Sequence, residues 1–142
     1  VKGKLGLVIL DIDFFKKIND TYGHQAGDLV LQNLALSLTE YCRGYDFIGR
    51  YGGEEFIIGL PNADIEECHT IAERIRQQIE SSSTVLPGGA TIKITASFGI
   101  EAIDDDYPYT TDRLISAADT ALYSAKNSGR NLVMRCRDMP KK

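Results

Sequence analysis

No apolar run in this chain approaches the ~20 residues that a membrane-crossing helix needs, and no signal peptide opens it. Membrane contact by this domain is therefore set aside, and the expected setting is the cytoplasm, as a free protein or as the cytoplasmic domain of a larger, membrane-bound one. Basic charge is also scarce: 16 Lys and Arg stand against 20 Asp and Glu, a net charge of −4. A general nucleic-acid binder shows a basic face, so nucleic acid is excluded as a partner. The three cysteines, Cys42, Cys68 and Cys136, are odd in number and scattered, with no CxxC or zinc spacing. That usage fits a reduced, cytoplasmic setting in which each thiol is a packing residue. Repeats, linkers and low-complexity tracts are missing too. What remains is 142 residues of ordinary composition, read as one domain with a core of its own.

The apolar pattern alternates between strand and helix signals. Leu5 to Leu10 is almost continuously aliphatic and reads as a buried strand. A short helix is predicted over Phe14–Asp20, ending near Gly23. A longer one follows from Ala26 to Tyr41, with Val30, Leu34, Leu38 and Tyr41 on one stripe. Phe47-Ile48 and Phe56-Ile57-Ile58 flank Gly52-Gly53 as a hairpin. Asn62 or Asp64 caps a helix carrying Ile65, Cys68, Ala72, Ile75 and Ile79. Ser81 to Ala90 reads as a loop, and Ile92 to Ile100 alternates as a single strand. A last helix carries Leu114, Ala118, Leu122 and Ala125 and stops at Gly129, before a strand at Leu132-Val133-Met134. Crossovers combined with a central hairpin imply a mixed or largely antiparallel sheet covered by helices.

Acidic oxygens gather at two ends of this pattern. Arg50-Tyr51-Gly52-Gly53-Glu54-Glu55-Phe56 puts adjacent carboxylates at a glycine turn, where no bulky side chain keeps a polyphosphate away. Asp11-Ile12-Asp13 follows the first strand. Side by side, Asp11 and Glu54 would make a site for Mg²⁺ and a nucleoside triphosphate; singly, each is equally an acid at a turn. Backbone N–H groups around Phe14 and Phe15 suit phosphate oxygens and Lys16 adds positive charge, although Phe14 and Ile18 also suit the core. Lys126 and Arg130 flank the end of the last helix, where cations also gather for dipole reasons. Asn19 and Asp28 bracket Tyr22-Gly23-His24. An ionised aspartate only accepts hydrogen bonds, which suits the adjacent N1–H and 2-amino donors of guanine and can discriminate by roughly 10⁴-fold. Asp28 serves equally as a first-turn helix acid. Arg43-Gly44-Tyr45-Asp46 reads either as a phosphate or purine fork or as an exposed ion pair.

Taken together and in order, these segments resemble the GGDEF family of diguanylate cyclases in its GGEEF form. The carriers are Asp11 through His24, Gly27-Asp28, Arg50 through Phe56, Ser97-Phe98-Gly99-Ile100, Ala118-Asp119, Ala121 through Lys126, and Gly129-Arg130-Asn131. The resemblance implies an α/β (α+β) nucleotidyl-cyclase fold similar to the polymerase palm, with a mixed, largely antiparallel sheet of about five strands flanked by helices. It implies condensation of two GTP into cyclic di-GMP and two pyrophosphates.

By the same resemblance Asp11, the Ile12 carbonyl and Glu54 hold Mg²⁺, two ions per site with Mn²⁺ as a substitute, and Glu55 stands close by. Glu54 takes the 3′-hydroxyl proton and Lys16 stabilises the transition state. Asn19, His24 and Asp28 bind guanosine, while Phe14, Phe15, Lys126 and Arg130 hold phosphates. Arg43, Asp46 and Arg74 form an RxxD product-inhibition site. A homodimer is expected, because one domain holds one GTP. The family segment Asp-x-Leu-Thr-Gly-Leu-x-Asn-Arg that precedes the first strand is missing, so a catalytic part of a larger protein with an upstream sensory or receiver domain is expected. The alternative is a catalytically inactive receptor for GTP or cyclic di-GMP, against which the intact set Asp11, Lys16, Glu54 and Glu55 counts. Adenine-containing products are disfavoured by Asp28.

Overall fold

A computed structural model describes residues 3–139. The chain runs β1 (Leu5–Ile12), α1 (Phe15–Tyr22), α2 (His24–Tyr41), β2 (Phe47–Arg50), β3 (Glu55–Pro61), α3 (Ile65–Ser81), β4 (Thr84–Val85), β5 (Thr91–Ile92), β6 (Ala96–Ile103), α4 (Thr111–Asn127) and β7 (Val133–Arg135), with a closing 3₁₀ turn at Cys136–Asp138. Five strands form one sheet in the order β2-β3-β1-β6-β7, antiparallel throughout except for the parallel β6–β7 edge. The expected mixed, largely antiparallel five-stranded sheet with flanking helices is what forms.

Successive strand residues face opposite sides, so each face recruits its own helices. Val8, Leu10 and Ile12 of β1 join Phe56, Ile58, Phe98 and Ile100 in the larger core, completed by Val30 and Leu34 of α2 and Cys68 and Ile75 of α3. Leu7 and Ile9 meet Leu114, Ala118 and Leu122 of α4 on the other face. Each such buried side chain contributes roughly 1.5–3 kcal/mol. At Gly99 an added Cβ would lie 2.1 Å from the Ala118 carbonyl oxygen and 2.2 Å from the Leu122 nitrogen, so α4 rests directly on the β6 backbone. That contact fixes the height of α4, and with it Lys126, above the end of β1.

Three expectations need correction. The stretch from Ile92 to Ile100 is not one strand. Ile92 belongs to a small β4–β5 hairpin, residues 93–95 leave the ladder, and β6 runs on to Ile103. The break occurs where Thr95 turns its carbonyl and hydroxyl to Asp13. The expected 81–90 loop accordingly contains β4 and a turn with Gly89 at φ 95°. α2 begins two residues before Ala26, at His24. Between the two cap candidates, Asp64 does the work: its Oδ1 accepts from the Glu67 N–H at 2.9 Å.

Candidate active site

β-pairing sets up the acidic end. The β1–β3 register places Asp11 opposite Glu55, and the β1–β6 register places it opposite Ser97. Asp11 is 5% exposed. Its Oδ2 accepts from the Lys126 ammonium on α4, and its buried Oδ1 has no donor. Glu54 sits beside it at the end of the glycine turn. Burial, then the Asp11 charge, raises Glu54 from 4.5 to about 7, with Lys126 pulling the other way. Burial and Asp11 likewise raise Glu55. Near neutral pH Glu54 therefore carries a proton part of the time, and Asp11 Oδ1 is left without a partner.

The turn is held from outside. Arg50 donates through Nε and Nη2 to the Gly53 carbonyl at 3.1 and 2.5 Å, and the Tyr51 N–H reaches the Glu55 carbonyl at 2.8 Å. Gly52 takes φ 90°, and nothing stands within 4 Å of where a Gly53 Cβ would be. The approach to the carboxylates is open, as the sequence implied.

Across the end of the sheet, the β1–α1 turn meets the turn after α4. Phe14 adopts φ 57°, ψ 34°, and α1 starts at Phe15, whose ring is buried. Lys16 is exposed on the first turn of α1. Gly129, at φ 116°, ends α4 as expected, and Arg130 lies over the Phe14 ring at 4.7 Å. Lys126 meets Asp11 while its side chain keeps 30% exposure, so its charge already lies at the acidic end.

Asn19 of α1 and Asp28 of α2 flank the crossing of those helices. A Cβ at Gly27 would lie 1.9 Å from Asn19 Oδ1, so a side chain there would displace the Asn19 amide from where it is seated. That Oδ1 is buried and has no donor. Asp28 is exposed and borders an open cleft of about 600 Å³ shared with Leu31, Gln32, Ile48, Arg50 and Phe56. The cleft reaches Arg50, which holds the glycine turn, but Asp11, Glu54, Glu55 and Lys126 do not line it. His24 is exposed at the start of α2.

Arg43 and Asp46 are elsewhere, at the far end of β2 from the glycine turn, and Arg74 is on α3, with no hydrogen bond or ion pair to either. Arg43 Nε bonds both Asp46 oxygens at 3.0 and 3.1 Å, its Nη2 reaches the Pro61 carbonyl at 3.1 Å, and its backbone N–H reaches Asp46 Oδ2 at 2.7 Å. The Asp46 side chain is fully covered, while Arg43 keeps 29% exposure. The pair is thus more enclosed than a surface ion pair. Arg74 is exposed on the α3 face it shares with Gln78, which accepts from the Tyr41 hydroxyl.

A divalent cation fits the donors at Asp11 and Glu54. Among the described residues no three His, Cys, Asp or Glu side chains form a closed cage. Two carboxylates, one with an unused buried oxygen, and the nearby Ile12 carbonyl suit a cation that completes its shell with water and substrate phosphates, as Mg²⁺ does.

Residues 1–132 match the family model described as the GGDEF domain of diguanylate cyclases. The chain belongs to this family. It is 42% identical over 132 residues to Diguanylate cyclase A of Treponema denticola, covering 93% of this chain and 35% of that protein. It is 44% identical over 128 residues to the response regulator PleD of Caulobacter vibrioides, covering 89% and 28%. The crystal structure of the GGDEF domain of DgcB from Caulobacter crescentus, in complex with c-di-GMP, superposes with a TM-score of 0.89 at 33% identity, covering 96% of this chain and 80% of that one. This GGDEF chain spans about a third of the length of the curated relatives it matches.

Two features of the GGDEF site escaped sequence reasoning. Gly27 was read as part of a motif and not as the contact that seats Asn19. Asp13, quoted only beside Asp11, is buried among hydroxyl and N–H donors. A signal for it was present, since Thr95 and Ser97 put hydroxyls just before β6 and at its start, and a buried acid needs such donors.

Proposed function

We propose that this domain condenses two GTP molecules into cyclic di-GMP and two pyrophosphates. The observation that carries the reading is the meeting of Asp11, Glu54, Glu55 and Lys126 at one end of the sheet, with Asp28 exposed beside a cleft that reaches Arg50 of the glycine turn. Asp11, Glu54 and the Ile12 carbonyl would hold Mg²⁺, or Mn²⁺ in its place, at two ions per site. When bound there, the metal supplies charge that polarises the α-phosphate and acidifies the attacking hydroxyl. Glu54 accepts the 3′-hydroxyl proton, the 3′-oxygen bonds to the α-phosphorus of the other GTP, and the α–β bridging oxygen leaves with pyrophosphate. Lys16 faces the charge that develops there. Phe14 and Phe15 N–H groups, Lys126 and Arg130 hold the phosphates, and Asn19, His24 and Asp28 hold guanosine.

The 3′-oxygen and the α-phosphorus belong to different GTP molecules, so two domains must face each other about a two-fold axis. Arg43 and Asp46, with Arg74, would bind the product and restrain further turnover. The relatives' greater length supports an upstream sensory or receiver domain that governs this encounter in the cytoplasm. No helix among the described residues is long and apolar enough to cross a membrane. The deciding experiment fuses the chain to a dimerising partner and supplies GTP with Mg²⁺. Cyclic di-GMP and pyrophosphate in a 1:2 ratio are expected. Binding without product would instead mark a receptor.

A further inference from the structure

Asp13 has no role in the scheme above, yet it is the most enclosed acid at this end of the sheet, with a side chain 1% exposed. Its Oδ1 accepts from Ser97 Oγ at 2.6 Å. Its Oδ2 accepts from Thr95 Oγ1 at 2.6 Å and from the Asn131 N–H at 3.0 Å. Arg130 Nη1 stands 3.9 Å from Oδ1. These donors come from the start of β6, the bend before it, and the turn after α4. Asp13 itself is one residue beyond β1, so a single carboxylate ties together three segments distant in sequence.

The backbone on both sides of this carboxylate is unusual. Phe14 has φ 57°, Arg130 65° and Asn131 51°. Left-handed backbone is unfavourable for any side chain with a Cβ, more so for a bulky one, and persists only where its surroundings enforce it. Asp13 is common to both turns: covalently joined to Phe14, hydrogen-bonded to Asn131 and facing Arg130. The Arg130 guanidinium then settles over the Phe14 ring. Neither a bond to Phe14 alone nor a bond to Asn131 alone would fix the distance between the turns.

We infer that Asp13 is a positioning residue for the phosphate end of the site. Its carboxylate sets the Phe14 turn against the Arg130–Asn131 turn, so that Arg130 and the first N–H groups of α1 face one triphosphate. This rests on the cyclase reading. It differs from plain fold stabilisation in one respect: loss of Asp13 should weaken the grip on phosphates while sparing the nucleoside end, at Asn19 a turn further along α1 and at Asp28 on α2.

The test is calorimetric titration of the wild-type chain, Asp13→Asn and Thr95→Val with two probes. One is a GTP analogue carrying a methylene group between its α and β phosphorus atoms, with Mg²⁺; the other is guanosine. Asp13→Asn keeps the size of the side chain but replaces one acceptor oxygen with a donor, against an Asn131 N–H that can only donate. The expected result is a loss of about tenfold or more for the analogue, with guanosine affinity within about twofold. Thr95→Val, nearly isosteric, removes one hydroxyl and should show the same pattern at about threefold. It carries the decision if thermal melts show Asp13→Asn unfolded. Equal losses for both probes, or none for the analogue, overturn the inference while the cyclase reading stands. A wild-type chain that binds neither probe overturns both.

Discussion

Burial and the Asp11 carboxylate raise Glu54 to about 7, so between its ordinary 4.5 and 7 the folded, metal-free chain holds a proton that the unfolded chain has released. The raised value favours folding below pH 4.5, and that contribution is lost as the pH climbs through 7. Glu54→Gln should therefore raise the melting temperature of metal-free protein at pH 8 and leave it nearly unchanged at pH 4.5. Adding Mg²⁺ should stabilise the wild type at pH 8 more than at pH 6 and should barely affect the variant. The variant should also lose turnover. A Glu54→Gln protein that is less stable than wild type at pH 8, or that still makes product, would refute the assignment. Asp28 offers a second single-residue test, since it stands exposed at the cleft. Asp28→Ser removes the ionised acceptor matched to two guanine donors, and the preference for GTP over ATP should fall by about 10²-fold or more. Competition assays measure that ratio directly.

At the scale of elements, α4 is the part whose placement the chemistry depends on most. It bears Lys126 and leads into Arg130, and its height over the sheet is set by Gly99. A methyl group at Gly99 meets backbone and not a flexible side chain, so Gly99→Ala must push the helix away. The expected cost is about 3 kcal/mol, together with a lower affinity for GTP as Lys126 withdraws; denaturant melts and GTP titration read the two effects. The 42–46 segment behaves differently. Arg43→Ala should raise the product concentration needed for inhibition with little change in initial rate. It also leaves the covered Asp46 carboxylate with only the backbone N–H of residue 43. Since Arg43 is partly in water, the cost should be roughly 2 kcal/mol, against roughly 3–5 kcal/mol for a fully buried pair. Chemical denaturation gives that number, and an initial rate that falls with it would make the arginine structural only.

These elements also show what could be read without coordinates. β1, α3 and α4 were legible because each shows an unbroken period over many residues: continuous aliphatics for a strand covered on both faces, a 3.6 spacing for the helices. The cluster at Asp11 and Glu54 was legible because both lie next to strong structural punctuation, a strand end and a Gly-Gly turn. Residues 92–100 failed because their alternation suits a half-exposed strand equally well, and only Asp13, some eighty residues earlier, decides where the chain bends. Glu101 was invisible for a similar reason. It is fully buried in β6, and its partner Arg137, within 2.6 Å, comes from the 3₁₀ turn at the other end of the chain. Charges paired over long separations leave no local pattern.

Considered whole, the proposed site holds one GTP, and this limits what a single copy can accomplish. The lone GTP it would hold has its 3′-oxygen and its own α-phosphorus in the same molecule, so the intermolecular bond requires a second domain. The reaction rate of the free chain should then depend on encounters. At concentrations well below the dimerisation constant, doubling the protein should raise the initial rate about fourfold, because dimer concentration follows the square of monomer concentration. Joining two copies through a dimerising fusion replaces that dependence with an effective concentration of order millimolar. Rate per chain should then be higher and flat across the dilution series. Both series can be run on one enzyme preparation, with sedimentation reporting the assembly present at each dilution. A free chain that sediments as a monomer and yet shows constant rate per molecule would mean that one cleft accommodates both nucleotides, and the two-fold arrangement would have to be abandoned.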